Sequence, residues 1–248
     1  MNATVLAQLG RHVLLPEIGT TGQNKIQSAT VMVIGCGGLG NAVIAYLAAS
    51  GVHNLVIADF DVIDQGHLQR QILFGQQDVR KAKADVIEAR LMEQYPGIVI
   101  TPIRQKLNLE RLLQCLKSCD VLIDCSDKEQ TRMLLNEAAK LSQTPFITAA
   151  VSGFQAQMAV FDFRKTDCSC YQCLAENQHF TEIEATDDYT VLSPLVGVVG
   201  SMQAQEALRI LTSFGTSSSG LLVHYDALNW RLSSQPVSLQ AACQLCMG

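Results

Sequence analysis

Short apolar runs alternate with segments of helical spacing through the first 150 residues. The apolar runs are typical of buried strands, and the segments between them have the 3.6-residue period of amphipathic helices. The predicted strands are residues 30–34, 54–58, 98–103, 120–124 and 145–150, and the predicted helices are residues 39–50, 79–93, 109–116 and 131–141. Because strands that alternate with helices form parallel sheets, this half is predicted to have helices on both faces of a parallel sheet.

The alternation of predicted strands and helices ends after residue 150. The predicted elements are a strand at residues 155–163, an exposed polar and acidic loop at residues 177–193, a helix at residues 195–211 and strands at residues 221–225 and 230–234. The loop is unusually long for a compact domain. Since no Pro/Ser-rich linker separates the two parts, we expect one domain over residues 1–248, with an appended smaller part at residues 151–248.

Composition and charge exclude several classes of protein. Hydrophobic residues make up 48% of the 248 residues and charged residues 17%, which excludes a disordered chain. The net charge of −5 lacks the basic excess of a sequence-independent nucleic-acid binder, so no nucleic-acid partner is expected. With neither a long uninterrupted apolar run nor a signal-peptide pattern, we expect a cytoplasmic protein without a membrane partner. In such a reducing compartment, the nine cysteines are core residues, metal ligands or nucleophiles.

A glycine-rich loop joins the first predicted strand to the first predicted helix. Gly35, Gly37, Gly38 and Gly40 permit a tight turn and let backbone N–H groups approach a phosphate at a helix N-terminus. Asp59 ends the second strand, where its carboxylate is positioned to accept hydrogen bonds from ribose hydroxyls. This arrangement predicts nucleotide binding; the alternative is tight helix–strand packing without a ligand.

Charged residues follow at the ends of later elements. Because ligands of parallel sheets bind at the carboxyl ends of the strands, we expect Asp59, Asp61 and Asp127 to converge on the glycine loop. Arg70 and Lys83 are expected within reach of the same loop. Carboxylates and cations together suit a metal-bound polyphosphate, which favours triphosphate chemistry over hydride transfer by an NAD-dependent oxidoreductase. The alternatives are that both cations are solvated helix charges and that Asp127 is a helix N-cap.

Two CxxC pairs lie 69 residues apart, at Cys170 and Cys173 and at Cys243 and Cys246. Four thiolates can form a closed tetrahedral zinc site, and a pair of redox dithiols is the alternative. Cys168 is a neighbour outside both pairs.

These motifs occur together in one known family. GCGGLG at residues 35–40, ADFD at 58–61, LQRQILF at 68–74, Lys83, DCSD at 124–127 and the two CxxC pairs have the order and spacing of the ThiF/MoeB/HesA family. The chain resembles these bacterial relatives of ubiquitin-activating enzymes from Arg11 to Cys246. The resemblance implies a Rossmann-like, mostly parallel sheet with a C-terminal antiparallel portion and a zinc-bound lobe. Residues 1–150 would then bind the nucleotide, and residues 151–248 would bind a carrier protein and zinc.

The resemblance also implies a reaction. Mg-ATP would adenylate the C-terminal glycine of a small ubiquitin-like sulfur-carrier protein ending in Gly-Gly, in thiamine or molybdopterin biosynthesis, with release of pyrophosphate. A separate sulfurtransferase would then form the thiocarboxylate. Arg70, Lys83 and Mg²⁺ would stabilise the charge, Asp127 would organise the metal ion, and the four cysteines would hold structural zinc. The residues implied to bind the nucleotide are Gly35, Gly37, Gly38, Gly40, Asp59, Asp61, Gly66, His67, Leu68, Gln69, Arg70, Lys83, Asp127 and Lys128.

Arg11 lies in a segment, residues 10–15, that is similar to the family's RQxLL pattern. There the arginine reaches into the neighbouring subunit's site, which implies a homodimer as the catalytic unit and makes Arg11 a fourth catalytic residue. The alternative is a surface arginine that begins a helix.

Three positions depart from the family pattern. His67 and Lys128 stand where relatives have asparagine, and Thr186 stands where some relatives have a loop cysteine. Since a hydroxyl cannot form a persulfide, the chain is predicted to adenylate only and to leave sulfur delivery to a partner. The first two changes keep open a second function, that of a non-catalytic binding scaffold.

Overall fold

The computed structural model describes residues 3–166, 168–176 and 190–247, with side chains described from residue 8 to residue 246 of these ranges. Within them, eight strands form one sheet in the order β3-β2-β1-β4-β5-β6-β7-β8. The strands are β1 (Thr30–Ile34), β2 (Asn54–Ala58), β3 (Val99–Ile103), β4 (Val121–Asp124), β5 (Phe146–Ser152), β6 (Gln155–Phe161), β7 (Leu221–Asp226) and β8 (Arg231–Pro236). The first five are parallel and the last three pair antiparallel, which confirms the predicted Rossmann-like sheet with an antiparallel C-terminal portion.

Helices cover both faces of the sheet, as the alternating pattern predicted. In the described ranges they are α1 (Ala3–Val13), α2 (Gly19–Ser28), α3 (Gly38–Ala49), α4 (Lys83–Gln94), α5 (Leu109–Leu116), α6 (Glu129–Leu141), α7 (Tyr171–Ala175), α8 (Ser193–Thr212) and α9 (Gln244–Met247). Helices α3, α4 and α8 contribute to one core, and α5, α6 and α7 to the core on the opposite face. None of the described helices is long and apolar enough to cross a membrane.

The central strands were predicted correctly because they are buried on both faces of the sheet. In β1, Val31, Met32 and Val33 are fully buried, so the apolar run is continuous. The start of α4 was predicted four residues too early. Residues 79–82 instead fold back beside Ile63, whose carbonyl oxygen accepts a hydrogen bond from the Arg80 N–H at 2.8 Å.

Helices α1 and α2 were not predicted. The sequence of α2, GTTGQNKIQS, is mostly polar, and it buries only Gly22, Gln23 and Ile26. Such a segment has almost no apolar period, so its helical state depends on packing against the rest of the chain.

Helix α8 lies against α3 at very short range. A Cβ at Gly200 would lie 2.6 Å from the carbonyl oxygen of Leu39 and 2.8 Å from the Cβ of Ala42. Glycine therefore permits this close approach, and α8 supports the N-terminal half of α3, the end that follows the glycine loop.

Candidate functional site

The glycine loop adopts the tight turn that its sequence predicted. Gly35 has φ +93°, and a Cβ there would lie 2.6 Å from the carbonyl oxygen of Cys125. A Cβ at Gly40 would lie 2.0 Å from the carbonyl oxygen of Gly35. Helix α3 begins after Gly37, which provides no side-chain cap, so the first N–H groups of this helix are available to an anion.

Asp59 connects the end of β2 to the glycine loop. Its carboxylate accepts hydrogen bonds from the N–H of Cys36 at 2.6 Å and from the N–H of Asp61 at 2.8 Å. A carboxylate has about four acceptor positions, so these bonds leave acceptor capacity for a hydroxyl group. Asp59 therefore lies against the loop, where the sequence predicted a ribose acceptor.

Lys83 is the first residue of α4 and is buried, with 4% of its side chain exposed. Its Nζ lies 2.9 Å from Oδ2 of Asp61, whose side chain is 51% exposed. The alternative of a solvated helix charge is wrong for Lys83, because a buried ammonium needs a counter-charge and Asp61 supplies it. An anionic ligand would find this cation already desolvated and fixed in position.

The segment after β2 brings further basic groups to the same region. Arg70 donates from Nη1 to the carbonyl oxygen of Gly66 at 3.2 Å and lies in a turn rather than in a helix. His67 accepts a hydrogen bond at Nδ1 from the N–H of Asp64 at 2.9 Å. Burial lowers the pKa of His67, and the nearby charges of Lys83 and Arg70 lower it further. These three basic side chains therefore lie close to one another.

The remaining residues of this segment have mixed surroundings. Leu68 packs against the core that contains α3 and α8, whereas the side chain of Gln69 is exposed. The carbonyl oxygen of Gln69 accepts a hydrogen bond from the hydroxyl of Ser193 at the start of α8. This bond joins the segment to the helix that supports the glycine loop.

Asp127 and Lys128 are exposed in the loop between β4 and α6. This loop lies beside the glycine loop, since a Cβ at Gly35 would be 3.2 Å from the backbone nitrogen of Ser126. Lys128 occupies the N-cap position of α6 and makes no capping bond with its side chain. Because Lys128 is the N-cap residue, the alternative that Asp127 caps this helix is wrong. Asp127 is exposed in the loop that lies beside the glycine loop.

Sequence reasoning missed two polar side chains behind the loop. Asn41 is fully buried; its Nδ2 donates to the carbonyl oxygens of Cys36 at 2.8 Å and Gly37 at 3.1 Å, and its Oδ1 accepts from the N–H of Leu73 at 2.7 Å. Gln71 is 2% exposed, and its Oε1 has no partner in the described part of the chain. An asparagine within an otherwise apolar helix was the available signal for Asn41.

Sequence reasoning also missed a buried ion pair beneath the Asp127 loop. Asp124 accepts from Nε of Arg132 at 3.0 Å and from the hydroxyl of Thr148 at 2.7 Å. Its other oxygen accepts from the N–H of Ser126 at 2.9 Å and from the Ser126 hydroxyl at 2.6 Å. An acidic residue at the end of a fully buried strand was the available signal, because such a charge requires a partner.

Two thiols lie at the glycine loop. Burial raises the pKa of Cys36 and of Cys125 well above the usual thiol value, and the carboxylates of Asp59 and Asp124, respectively, raise them further. Both side chains are therefore protonated thiols in this structure, and both are buried, which agrees with core residues, one of the three roles expected for the nine cysteines.

Arg11 lies in the last turn of α1 and is exposed. The alternative that it begins a helix is wrong. The predicted contact with a neighbouring subunit stays a prediction. Thr186, the position of the missing loop cysteine, lies outside the described residues.

The four predicted metal ligands form one cluster. Sγ of Cys170 lies 3.7 Å from Sγ of Cys243 and 3.9 Å from that of Cys173, which is 3.6 Å from Sγ of Cys246. All four sulfur atoms lie within 4.8 Å of one another and none forms a disulfide. A tetrahedron with Zn–S bonds of about 2.3 Å has S–S edges of about 3.8 Å, so the cluster has the size of a zinc site. Cys168 is not part of it.

The sequence profile of the ThiF family matches residues 9–246. Sulfur carrier protein ThiS adenylyltransferase of Escherichia coli K12 is 35% identical over 248 residues, which is all of this chain and 98% of that protein. Molybdopterin-synthase adenylyltransferase of Salmonella typhimurium is 32% identical over 97% of this chain and 96% of its own length. Adenylyltransferase and sulfurtransferase MOCS3 of Xenopus laevis is 35% identical over 91% of this chain, which spans only 50% of that longer protein.

Solved structures share the fold. The crystal structure of E. coli MccB with ATP superposes with a TM-score of 0.78 over 91% of this chain and 68% of that one, at 23% identity.

Proposed function

The chain belongs to the ThiF family, and on that basis we propose that it is an ATP-dependent adenylyltransferase for a small ubiquitin-like sulfur-carrier protein that ends in Gly-Gly. The reaction joins the carrier's C-terminal carboxylate to the α-phosphate of ATP and releases pyrophosphate. The observation that carries this proposal is a buried cation, Lys83, paired with Asp61. The N–H of Asp61 bonds Asp59, the acid that accepts from the glycine loop just before the uncapped N-terminus of α3. The relatives' names support the reaction class.

The nucleotide would bind along the glycine loop. The N–H groups at the start of α3 would donate to phosphate oxygens, and Asp59 would accept from the ribose. The segment from Gly66 to Arg70 would line the nucleotide. Ser193 bonds Gln69 within this segment, and Asn41 bonds Leu73 three residues after it, so α8 and α3 hold both the segment and the residues that follow it before the nucleotide binds.

The chemical step brings together two negative groups, the attacking carboxylate and the α-phosphate. Arg70 and Lys83 would reduce this repulsion and stabilise the charge that spreads over the phosphate oxygens. Lys83 acts strongly because it is buried and needs no reorganisation. Asp61, now its counter-ion, would remain beside it and limit the excess charge.

Mg²⁺ would be held by the carboxylate of Asp127, an exposed residue in the loop that lies beside the glycine loop. The ion would supply a further positive charge at the phosphates. Lys128 would lie next to this carboxylate.

Zinc would be held by Cys170, Cys173, Cys243 and Cys246, whose sulfur separations fit a tetrahedral site. Four protein ligands leave no open position, so the ion would be structural and would tie α7 to α9. The four thiols would lose their protons when they bind the metal. Because metal binding contributes to the folding free energy, removal of the metal would destabilise this lobe.

We also propose a pathway, a division of the domain, an oligomeric state and a location for the protein. The carrier would belong to thiamine or molybdopterin biosynthesis, and the sulfurtransferase would be a separate protein. Residues 1–150 would be the nucleotide-binding part and residues 151–248 the carrier-binding and zinc part of a single domain. A homodimer would be the active unit. The protein would be located in the cytoplasm, where cysteines that form no disulfide are stable.

Carrier-dependent exchange of labelled pyrophosphate into ATP tests the proposed reaction. The wild-type protein should exchange pyrophosphate only in the presence of a Gly-Gly-ending carrier, and Asp127→Ala should lower the rate by at least about 100-fold, in the range seen when a key electrostatic group is removed. Glu129→Ala is the control, because Glu129 is an exposed acid two residues away in α6.

Near-normal exchange in a folded Asp127→Ala variant would remove Asp127 from the mechanism. Wild-type protein that binds the carrier but exchanges no pyrophosphate would support the non-catalytic scaffold instead.

A further inference from the structure

Tyr171 stands between two ligands of the cysteine cluster but contacts a residue of the nucleotide half. Nη1 of Arg132 donates to the Tyr171 hydroxyl at 3.4 Å, and Cζ of Arg132 lies 5.5 Å from the centre of the Tyr171 ring. Both residues are buried. We propose that Tyr171 is a positioning residue that couples the metal-binding cluster to the loop carrying Asp127, an inference whose catalytic part rests on the proposed function.

Arg132 connects three backbone segments next to the proposed site. In addition to its ion pair with Asp124, it donates from Nη2 to the carbonyl oxygens of Ser126 and Ala149, both at 3.4 Å. The guanidinium group therefore joins the end of β4, the loop that follows it and β5. Because Asp127 directly follows Ser126, the orientation of this guanidinium helps to set the path of the loop.

The charge of Arg132 is compensated by Asp124 inside the protein. Its contribution is therefore one of geometry rather than of attraction to phosphate. A planar guanidinium makes this possible, because its donors point in fixed directions toward several acceptors at once.

Tyr171 is held from the side of the cysteine cluster. Its N–H donates to Oδ1 of Asn136 on α6 at 2.8 Å, and the flanking residues Cys170 and Cys173 contribute two of the four clustered sulfur atoms. A metal ion on these sulfur atoms would fix α7 and, with it, the ring that lies against Arg132. Loss of the metal would free α7, because metal binding supplies much of the folding free energy of such small lobes.

Withdrawing the ring would leave space beside the guanidinium. A cavity lies beside it, lined in part by Arg132, Thr148, Tyr171 and Leu174. When the hydroxyl and the ring face are removed, Arg132 loses a hydrogen bond and a buried cation–π contact, so other rotamers of Arg132 become accessible. The Ser126 and Asp127 backbone would then open more often.

Hydrogen exchange measured by mass spectrometry tests the coupling without relying on activity. In the zinc-loaded protein, Tyr171→Leu should speed amide exchange in the peptide covering residues 126–132 by at least about fivefold, and Tyr171→Phe, which removes only the hydroxyl, by less. Peptides from α4 and β3 should be unchanged. Tyr95→Phe is the matched control, because the Tyr95 hydroxyl also has a hydrogen-bond partner, Gln94, but lies beside α4 and β3.

Removal of zinc from the wild type with a chelator, with zinc content measured on the same sample, should produce the same faster exchange at residues 126–132. Zinc removal should add little in Tyr171→Leu, since both changes act through one contact. Unchanged exchange in this peptide after verified zinc loss, or fully additive effects, would overturn the proposal. If Tyr171→Leu does not retain zinc, Tyr171→Phe and the chelated wild type decide.

The effect of Tyr171 on catalysis is measured separately, by the kinetics of pyrophosphate exchange. Tyr171→Phe should lower kcat for pyrophosphate exchange severalfold while KM for ATP changes less than about twofold, because the glycine loop, Asp59 and Lys83 are untouched. In an Arg132→Lys background the same substitution should have almost no further effect. A wild-type protein without pyrophosphate exchange would contradict the proposed reaction, yet the hydrogen-exchange result would still decide the coupling.

Discussion

His67 accepts a hydrogen bond at Nδ1 from the N–H of Asp64, so that ring nitrogen must carry no proton. A protonated imidazole has two N–H donors and cannot make this bond. Burial lowers the pKa of His67, and the charges of Lys83 and Arg70 lower it further. The native protein therefore contains a neutral ring at neutral pH.

Stability should consequently fall on acidification. Between the lowered native pKa of His67 and its ordinary value of 6.5, the unfolded chain binds more protons than the native protein, so stability declines as pH falls below about 6.5. Asparagine, implied at this position by the family pattern, does not titrate. Urea unfolding at pH 7.5 and 5.5 should show a larger loss for the wild type than for His67→Asn. Equal losses in the two proteins would contradict this assignment, since all other titrating groups are shared.

At the scale of elements, contact between α3 and α8 sets the position of the glycine loop. Gly200→Ala places a methyl group 2.6 Å from a backbone oxygen, so the two helices must separate. The clash should outweigh alanine's helix preference of about 1 kcal/mol, and we expect a net destabilisation of about 1–3 kcal/mol with a raised KM for ATP. Guanidinium unfolding and exchange kinetics measure both effects.

Gly197→Ala on the same helix is the matched control. A Cβ at Gly197 meets no atom within 4 Å in the described structure, so this variant should be unchanged or up to about 1 kcal/mol more stable. Equal behaviour of the two variants would mean that α8 does not constrain α3.

At the scale of the whole molecule, Arg11 is exposed, and it is proposed to act in the site of a second subunit. Arg11→Ala and Asp127→Ala should each be inactive alone. After subunit exchange in an equimolar mixture, half of the dimers are mixed and each has one complete site, so activity should recover to about a quarter of the wild-type value. Native mass spectrometry measures the exchange. Mixed dimers without activity would confine Arg11 to its own subunit.

The sequence by itself determined the order of the chemical groups along the chain: the glycine loop after β1, an acid after β2, a lysine at position 83 and two cysteine pairs. These features are visible because hydrophobic period, backbone freedom at glycine and ligand spacing are properties of a few neighbouring residues. The fold class followed from the same local patterns and is confirmed by the sheet.

Only the tertiary structure decided which buried polar groups pair. Lys83 and Asp61 are 22 residues apart in the chain, and Arg132 and Tyr171 are 39 residues apart. A buried charge must find a partner, but no local pattern specifies which residue that partner is, because the pairing depends on how distant elements pack. The polar helix α2 and the link from the cysteine cluster to the Asp127 loop were undetectable for the same reason.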